Sequence, residues 1–231
     1  MELEAYPDAA AVAQHAAQFI ASQARAAVTA RGRFTFAVSG GHTPWQMLRA
    51  LAGQEVPWTS VHVFQVDERV APASDPDRNL LHIRESLVAH IALPAANLHP
   101  MWVEATDLGA AAAGYARQLA MIAGTPAVLD LVHLGLGPDG HTASLVPGDP
   151  VLDEDHLDVA LAGPYQGHRR MTLTYPILNR SRCVLFVVTG ADKVPMLARL
   201  QRDDPTIPAG RITGERALIM ADAAAAGTAP K

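Results

Sequence analysis

Short apolar runs that stop abruptly at polar, glycine-containing turns recur along this chain, and most lie between stretches with helical patterning. The clearest is Leu129-Asp130-Leu131-Val132-His133-Leu134-Gly135-Leu136-Gly137-Pro138-Asp139-Gly140-His141-Thr142-Ala143-Ser144. A run this short and this apolar reads as a strand buried on both faces, and its Gly/Pro break as the loop at the carboxyl end. Further strands are expected at residues 33–38, 61–66, 98–103, 171–175, 183–189 and 216–220. Helices are expected at 8–30, 45–52, 79–90, 108–122 and 193–200, with an Ala-rich closing helix near the end. Strand alternating with helix implies an α/β chain with a mostly parallel sheet and helices on both faces. In such sheets ligands bind in the crevice outside the carboxyl ends of the strands.

The length, 231 residues, suits a single domain over 1–231 with a frayed tail at about 227–231. A formal net charge of −5 argues against a nucleic-acid surface, which needs a basic excess, yet leaves room for a small anionic ligand. The one cysteine, Cys183, lies in an apolar run and reads as a core residue. The first residues lack the basic and apolar regions of a secretory signal, and no apolar stretch approaches the ~20 residues that span a bilayer. A soluble cytoplasmic protein, with no membrane partner and a monomer or small homo-oligomer as its assembly, is therefore expected.

Two strand ends besides the first carry chemistry. Ser39-Gly40-Gly41-His42-Thr43-Pro44 follows one strand and precedes a helix. Its glycines let backbone N–H groups approach a ligand, and the helix start adds a positive dipole end, so the turn suits a phosphate. Thr43 as a helix cap with Pro44 in the first turn is the plainer reading. Asp67-Glu68-Arg69 ends a second strand: Arg69 offers a planar fork of donors for an oxyanion or phosphate, and Asp67 an acceptor for sugar hydroxyls. In the opening run, an Asp-x-His on a glycine hinge sets an imidazole against a substrate with a carboxylate to orient it.

Ser-Gly-Gly-x-Thr-Pro, Val-Asp-Glu-Arg and Gly-Leu-Gly-Pro-Asp-Gly-His-Thr-Ala-Ser-Leu, in this order, resemble the 6-phosphogluconolactonase family. Arg170-Met171-Thr172-Leu173-Thr174 and Thr189-Gly190-Ala191-Asp192-Lys193 extend the resemblance, which runs from about 36 to 193. It implies a Rossmann-like fold and hydrolysis of 6-phospho-D-glucono-1,5-lactone, a small sugar-phosphate lactone, without cofactor or metal. It also implies His141 as general base and Asp139 as its orienting carboxylate. Arg69 either stabilises the oxyanion or holds the phosphate. Ser39, Gly40, Gly41, His42 and Thr43 would cradle the phosphate, with Arg170 and Lys193 as cationic partners. Asp67, Asn79 and Gly137 complete the substrate-binding set. His42 stands where Ser is frequent in the family, and Val146 where an aromatic is common.

Glucosamine-6-phosphate deaminases resemble the chain in fold and share Ser-Gly-Gly-x-Thr-Pro. They carry Asp-Glu-Tyr where Arg69 is third here, and Asn-Glu-Pro where this chain has Leu145-Val146-Pro147. A non-enzymatic sugar-phosphate sensor would keep the cradle without Asp139-Gly140-His141. Of the remaining histidines, His133 reads as a satisfied core residue and His62 as a residue of an alternating strand. His82, His90, His99 and His156 read as surface or cap residues. No pair has zinc-ligand spacing. Trp45, Trp58 and Trp102 read as packing residues, and Asp153-Glu154-Asp155 as a solvated loop. Residues 165–170 read as a mobile segment whose last arginine reaches the ligand.

Overall fold

The computed structural model describes residues 1–214 and 216–228, without the side chain of His42. In chain order the elements begin with β1 (Glu2–Tyr6), α1 (Ala9–Arg31), β2 (Phe34–Val38), α2 (His42–Ala52) and β3 (Val61–Gln65). There follow β4 (Asp67–Arg69), α3 (Asn79–Ser86), β5 (Leu98–His99), α4 (Leu108–Ala123), β6 (Leu131–Leu134) and β7 (Val159–Tyr165). The chain closes with β8 (His168–Leu173), α5 (Tyr175–Arg180), β9 (Val184–Val188), α6 (Val194–Leu200) and β10 (Ala217–Asp222).

Among the described residues, seven strands form a parallel sheet in the order β1-β10-β9-β6-β2-β3-β5. The expected α/β class holds. The apolar runs are continuous because successive residues feed different cores. Ala37, Phe64, Val132 and Phe186 pack on the face covered by α4, α5 and α6. Phe36, Val63, Leu131 and Leu185 pack on the face covered by α1, α2 and α3. With a side-chain period of two, a strand buried on both faces is apolar at most of its positions. α1 starts at Asp8, whose carboxylate accepts from the Ala11 amide at 2.8 Å. Its alanine-rich face, with Ala16, Ala17, Ala21 and Ala24 fully buried, lets the helix lie close on the sheet.

The order of strands places the site. From β2 the chain moves outward to β3 and β5; it then returns to β6, on the other side of β2, and moves outward the opposite way to β9 and β10. The carboxyl ends of β2 and β6 therefore flank a topological switch point, where the loops diverge and leave a crevice. Asp130 pins the two strands together at their opposite ends. It accepts from the Thr35 amide at 2.8 Å and hydroxyl at 2.9 Å, and pairs with Arg31 at 2.7 Å.

A second, three-stranded antiparallel sheet, β4-β8-β7, was not anticipated. β3 passes through Val66 directly into β4, which leaves the parallel sheet and pairs with β8. Residues 165–170 are not a free segment: Gln166 and Gly167, with φ of 51° and 85°, form the two-residue turn of the β7–β8 hairpin. Both central residues at positive φ is the pattern that matches strand twist. The Gly163-Pro164 pair within β7 masked the strand pattern. The expected strand at 98–103 shortens to β5, and the expected helix at 79–90 divides into α3 and a separate short turn, Val88–His90. The Ala-rich closing segment is a set of turns through residue 227 rather than a helix, and 229–231 of the expected frayed tail lie outside the described residues. His99, expected at the surface, is buried; it stacks on Phe64 and its Nε2 lies 3.1 Å from Nδ1 of His62.

Candidate active site

A cavity of about 440 Å³ opens at the switch point. It is lined by the Ser39-Gly40-Gly41 turn after β2, the loop after β6, both arginines of the β4–β8 pair, and Lys193 before α6. A larger groove of about 660 Å³ lies between α1 and α2, lined largely by alanines and neutral amides, and holds none of the expected chemistry.

The loop after β6 is folded on itself by short-range bonds. The Gly137 amide donates to the His141 carbonyl at 2.8 Å, and the Thr142 hydroxyl to the Gly135 carbonyl at 2.8 Å. This brings Nδ1 of His141 to 2.6 Å from Oδ1 of Asp139, which also accepts from the His141 amide at 3.1 Å. Burial pushes the Asp139 carboxyl up, but the amide and imidazole of His141 outweigh it and hold the group below its ordinary value. A charged carboxylate at Nδ1 selects the tautomer protonated there and leaves the Nε2 lone pair available. His141 lines the cavity, with Asp139 behind it.

β4 and β8 are antiparallel with Arg69 directly opposite Arg170, and Asp67 opposite Thr172. Like charges facing each other across a ladder repel. Asp67 offsets part of this: Oδ2 lies 3.7 Å from Nη1 of Arg170 and accepts from the Ser144 hydroxyl at 2.6 Å. Arg170 is 4% exposed, and its guanidinium is pushed below its ordinary value by burial and by Arg69, against the pull of Asp67. Nη1 of Arg69 donates to Oδ1 of Asn79 at 2.5 Å and to the Asp77 carbonyl at 2.6 Å. The Nε atoms of both arginines are buried without a hydrogen-bond partner among the described residues. Two adjacent guanidiniums with donors to spare suit an anion chemically.

Asn79 holds this arrangement to the glycine turn. Its Nδ2 donates to the Asp67 carbonyl at 2.9 Å, and a Cβ on Gly40 would stand 1.7 Å from its Oδ1, so only glycine lets the turn lie against it. Ser39 is anchored by His133: its hydroxyl donates to the His133 carbonyl at 3.1 Å and its amide to Nδ1 at 3.4 Å. Among the described residues His133 is thus only half satisfied, because its Nε2 is buried with no partner there. Thr43 does not cap α2; its hydroxyl is 2.7 Å from that of Thr189, and Gly41 occupies the cap position. The His42 side chain lies outside the described residues.

Ser39, Gly40, Gly41, Asp67, Arg69, Asn79, Gly137, His141, Arg170 and Lys193 all line the one cavity. Thr43 and Asp139 stand outside its lining. Lys193 pairs with Asp192 at 2.9 Å. Sequence reasoning missed Gln166 at the cavity rim, and Tyr165 and Glu68 around it. The Gln166-Gly167 dipeptide is a usable signal for the hairpin, whereas the roles of Tyr165 and Glu68 depend on residues distant in sequence.

Fold and site together define an α/β protein with a crevice lined by Arg69, Arg170 and Lys193 and a carboxylate-held histidine at the switch point. The chain belongs to the glucosamine-6-phosphate isomerase/6-phosphogluconolactonase family, whose pattern matches residues 7–220. It is 36% identical to a 6-phosphogluconolactonase of Nostoc sp., over 97% of this chain and 96% of that one. The crystal structure of 6-phosphogluconolactonase from Thermotoga maritima superposes with a TM-score of 0.86 at 27% identity, over 96% of this chain and 99% of that one. A monomeric glucosamine-6-phosphate deaminase superposes with a TM-score of 0.84 at 17% identity, over 99% and 100% of the two chains, a likeness of fold alone. Among the described residues, no helix is long and apolar enough to cross a membrane, and no group of three or more His, Cys, Asp or Glu could hold a metal ion.

Proposed function

We propose that this chain is a 6-phosphogluconolactonase, hydrolysing 6-phospho-D-glucono-1,5-lactone to 6-phospho-D-gluconate. The observation that carries the reading is the Asp139–His141 pair facing a cavity ringed by Arg69, Arg170 and Lys193. The phosphate sits among these cations and the glycine turn at the start of α2, where N–H groups are free of helical partners. With the phosphate anchored, the lactone carbonyl lies toward His141. Nε2 takes a proton from water as its oxygen adds to the carbonyl carbon, with negative charge passing to the carbonyl oxygen. The cationic field of the crevice stabilises that charge. As the tetrahedral intermediate collapses, the bond to the ring oxygen breaks and Nε2–H returns the proton to it. The products are a hydroxyl and a carboxylic acid that ionises in water. A δ-lactone is an activated ester, so a positioned base and a fixed field suffice.

The deaminase reading is weaker because Leu145 is buried in the core and Val146 supplies no carboxylate beside His141. The test is hydrolysis of freshly generated lactone with the spontaneous rate subtracted. Wild type should exceed the spontaneous rate strongly, and His141→Ala should lose at least about 100-fold in kcat, the usual worth of a general base, while still binding 6-phosphogluconate. Lys193→Ala should mainly raise KM. A wild-type rate no greater than the spontaneous one sinks the reading, and exchanged phenotypes sink the assignment of roles.

A further inference from the structure

Resting on that reading, we infer that Tyr165 is a positioning residue that fixes the Asp139–His141 pair and ties it to the anion-binding Arg170. The Tyr165 hydroxyl donates to Oδ2 of Asp139 at 3.3 Å, the oxygen that His141 leaves free. Its ring meets the His141 imidazole edge to face, with centroids 5.1 Å apart and planes at 65°. The Arg170 guanidinium carbon lies 5.2 Å from the same ring centroid, and Arg170 Nη2 donates to the Tyr165 carbonyl at 3.2 Å. One side chain therefore touches the carboxylate, the imidazole and the guanidinium. Each contact is modest, in the range of edge-to-face pairs, cation–π pairs and single hydrogen bonds. Together they leave the Asp139 carboxylate one orientation, in which Oδ1 faces Nδ1.

The hairpin is built to aim this ring. Register between β7 and β8 shifts by one residue between Ala162 and Tyr165, so the strand carries a bulge at Gly163-Pro164. A one-residue slip exchanges the faces that side chains occupy, and bulges beside active sites re-aim a side chain in this way. The Gly163 amide donates to Oδ2 of Asp149 at 2.7 Å, which holds the bulge in place. Burial and the adjacent Asp139 raise the Tyr165 phenol, so it stays a donor at any working pH. The other charged groups lining the cavity with His141 are Asp67 and Arg69 from β4, Arg170 from β8 and Lys193 before α6.

Tyr165→Phe keeps the ring and removes only the hydroxyl. It should lower kcat roughly fivefold to tenfold, the worth of one ordinary hydrogen bond, with KM within about twofold. Tyr165→Leu also removes the ring from Arg170 and should raise KM as well. The His141 Nδ1–H resonance, observed by NMR without substrate, should move in Tyr165→Phe as its bond to Asp139 changes, whether or not the protein turns over the lactone. A Phe variant with wild-type kcat, one in which KM alone changes, or an unmoved His141 Nδ1–H resonance overturns the inference.

Discussion

At the scale of the residue, the site depends on atoms that are missing as much as on those present. A Cβ on Gly137 would stand 2.0 Å from Nδ1 of His141 and 2.2 Å from its Cε1, so the imidazole rests against the bare α-carbon. Gly137→Ala should therefore displace the ring from Asp139 and lower kcat by on the order of 100-fold, the cost of a misplacement of about 1 Å. Circular dichroism and the thermal midpoint should remain close to wild type, because the loop is held elsewhere by Thr142 and by the Gly140 carbonyl, which accepts from the Ala209 amide. Near-normal kcat in that variant would show that the base does not need its present position. Gly-Pro-Asp-Gly-His was legible in the sequence because the turn, the carboxylate and the imidazole are neighbours in the chain. The Asp139 carboxylate lies two residues from the His141 imidazole it bonds, so no long-range packing had to be inferred.

At the scale of the element, the short strand β4 does more than carry Arg69. Glu68, fully buried, accepts from the amides of Arg69, Asn79 and Leu80 at 2.8 to 2.9 Å and lies 3.2 Å from Nε of Arg78. It places a negative charge on the first amides of α3 and joins that helix to the strand. Glu68→Ala frees those amides and leaves the buried Arg78 only the Ala71 carbonyl at 2.7 Å and the exposed Glu104 at 4.0 Å, and should cost about 3 kcal/mol in urea unfolding. KM should rise too, since Arg69 and Asn79 lose their common anchor. A loss below about 1 kcal/mol would show that Arg78 finds another partner. Asp67-Glu68-Arg69 was conspicuous in the sequence as three charges at a strand end, but the two outer residues drew the functional reading. What the middle one does was hidden, because its partners lie on α3 and no local pattern encodes an approach between a strand and a helix start. The Arg69–Arg170 pairing was hidden for a related reason: any two strands can pair, and the register is set by the bends that lead into them.

At the scale of the whole molecule, the sheet buries an imidazole at its centre. His133 shares the parity of Leu131 on β6, and burial pushes it down to about 3. In the unfolded chain it binds a proton below about pH 6.5, so the unfolded state holds more protons between that value and the folded one. Its contribution is fully present above pH 6.5 and is lost as pH falls toward 3, by about 1.4 kcal/mol per unit. Urea unfolding of wild type and His133→Leu at pH 7.5 and 5.0 should show wild type losing about 2 kcal/mol more than the variant. Equal losses would mean that the buried ring is not the titrating group. The sequence by itself determined the alternation of strand and helix, the glycine turns at strand ends and the Asp-x-His loop. These follow from side-chain periodicity and local sterics, which act over a few residues. Only the tertiary structure decided that β2 and β6 are neighbours, that β4 leaves the parallel sheet to face Arg170, and that a bulged hairpin lays Tyr165 on the dyad. Backbone hydrogen bonds between strands are the same whatever the side chains. Strand order is therefore chosen by the packing of both faces at once, which no local segment contains.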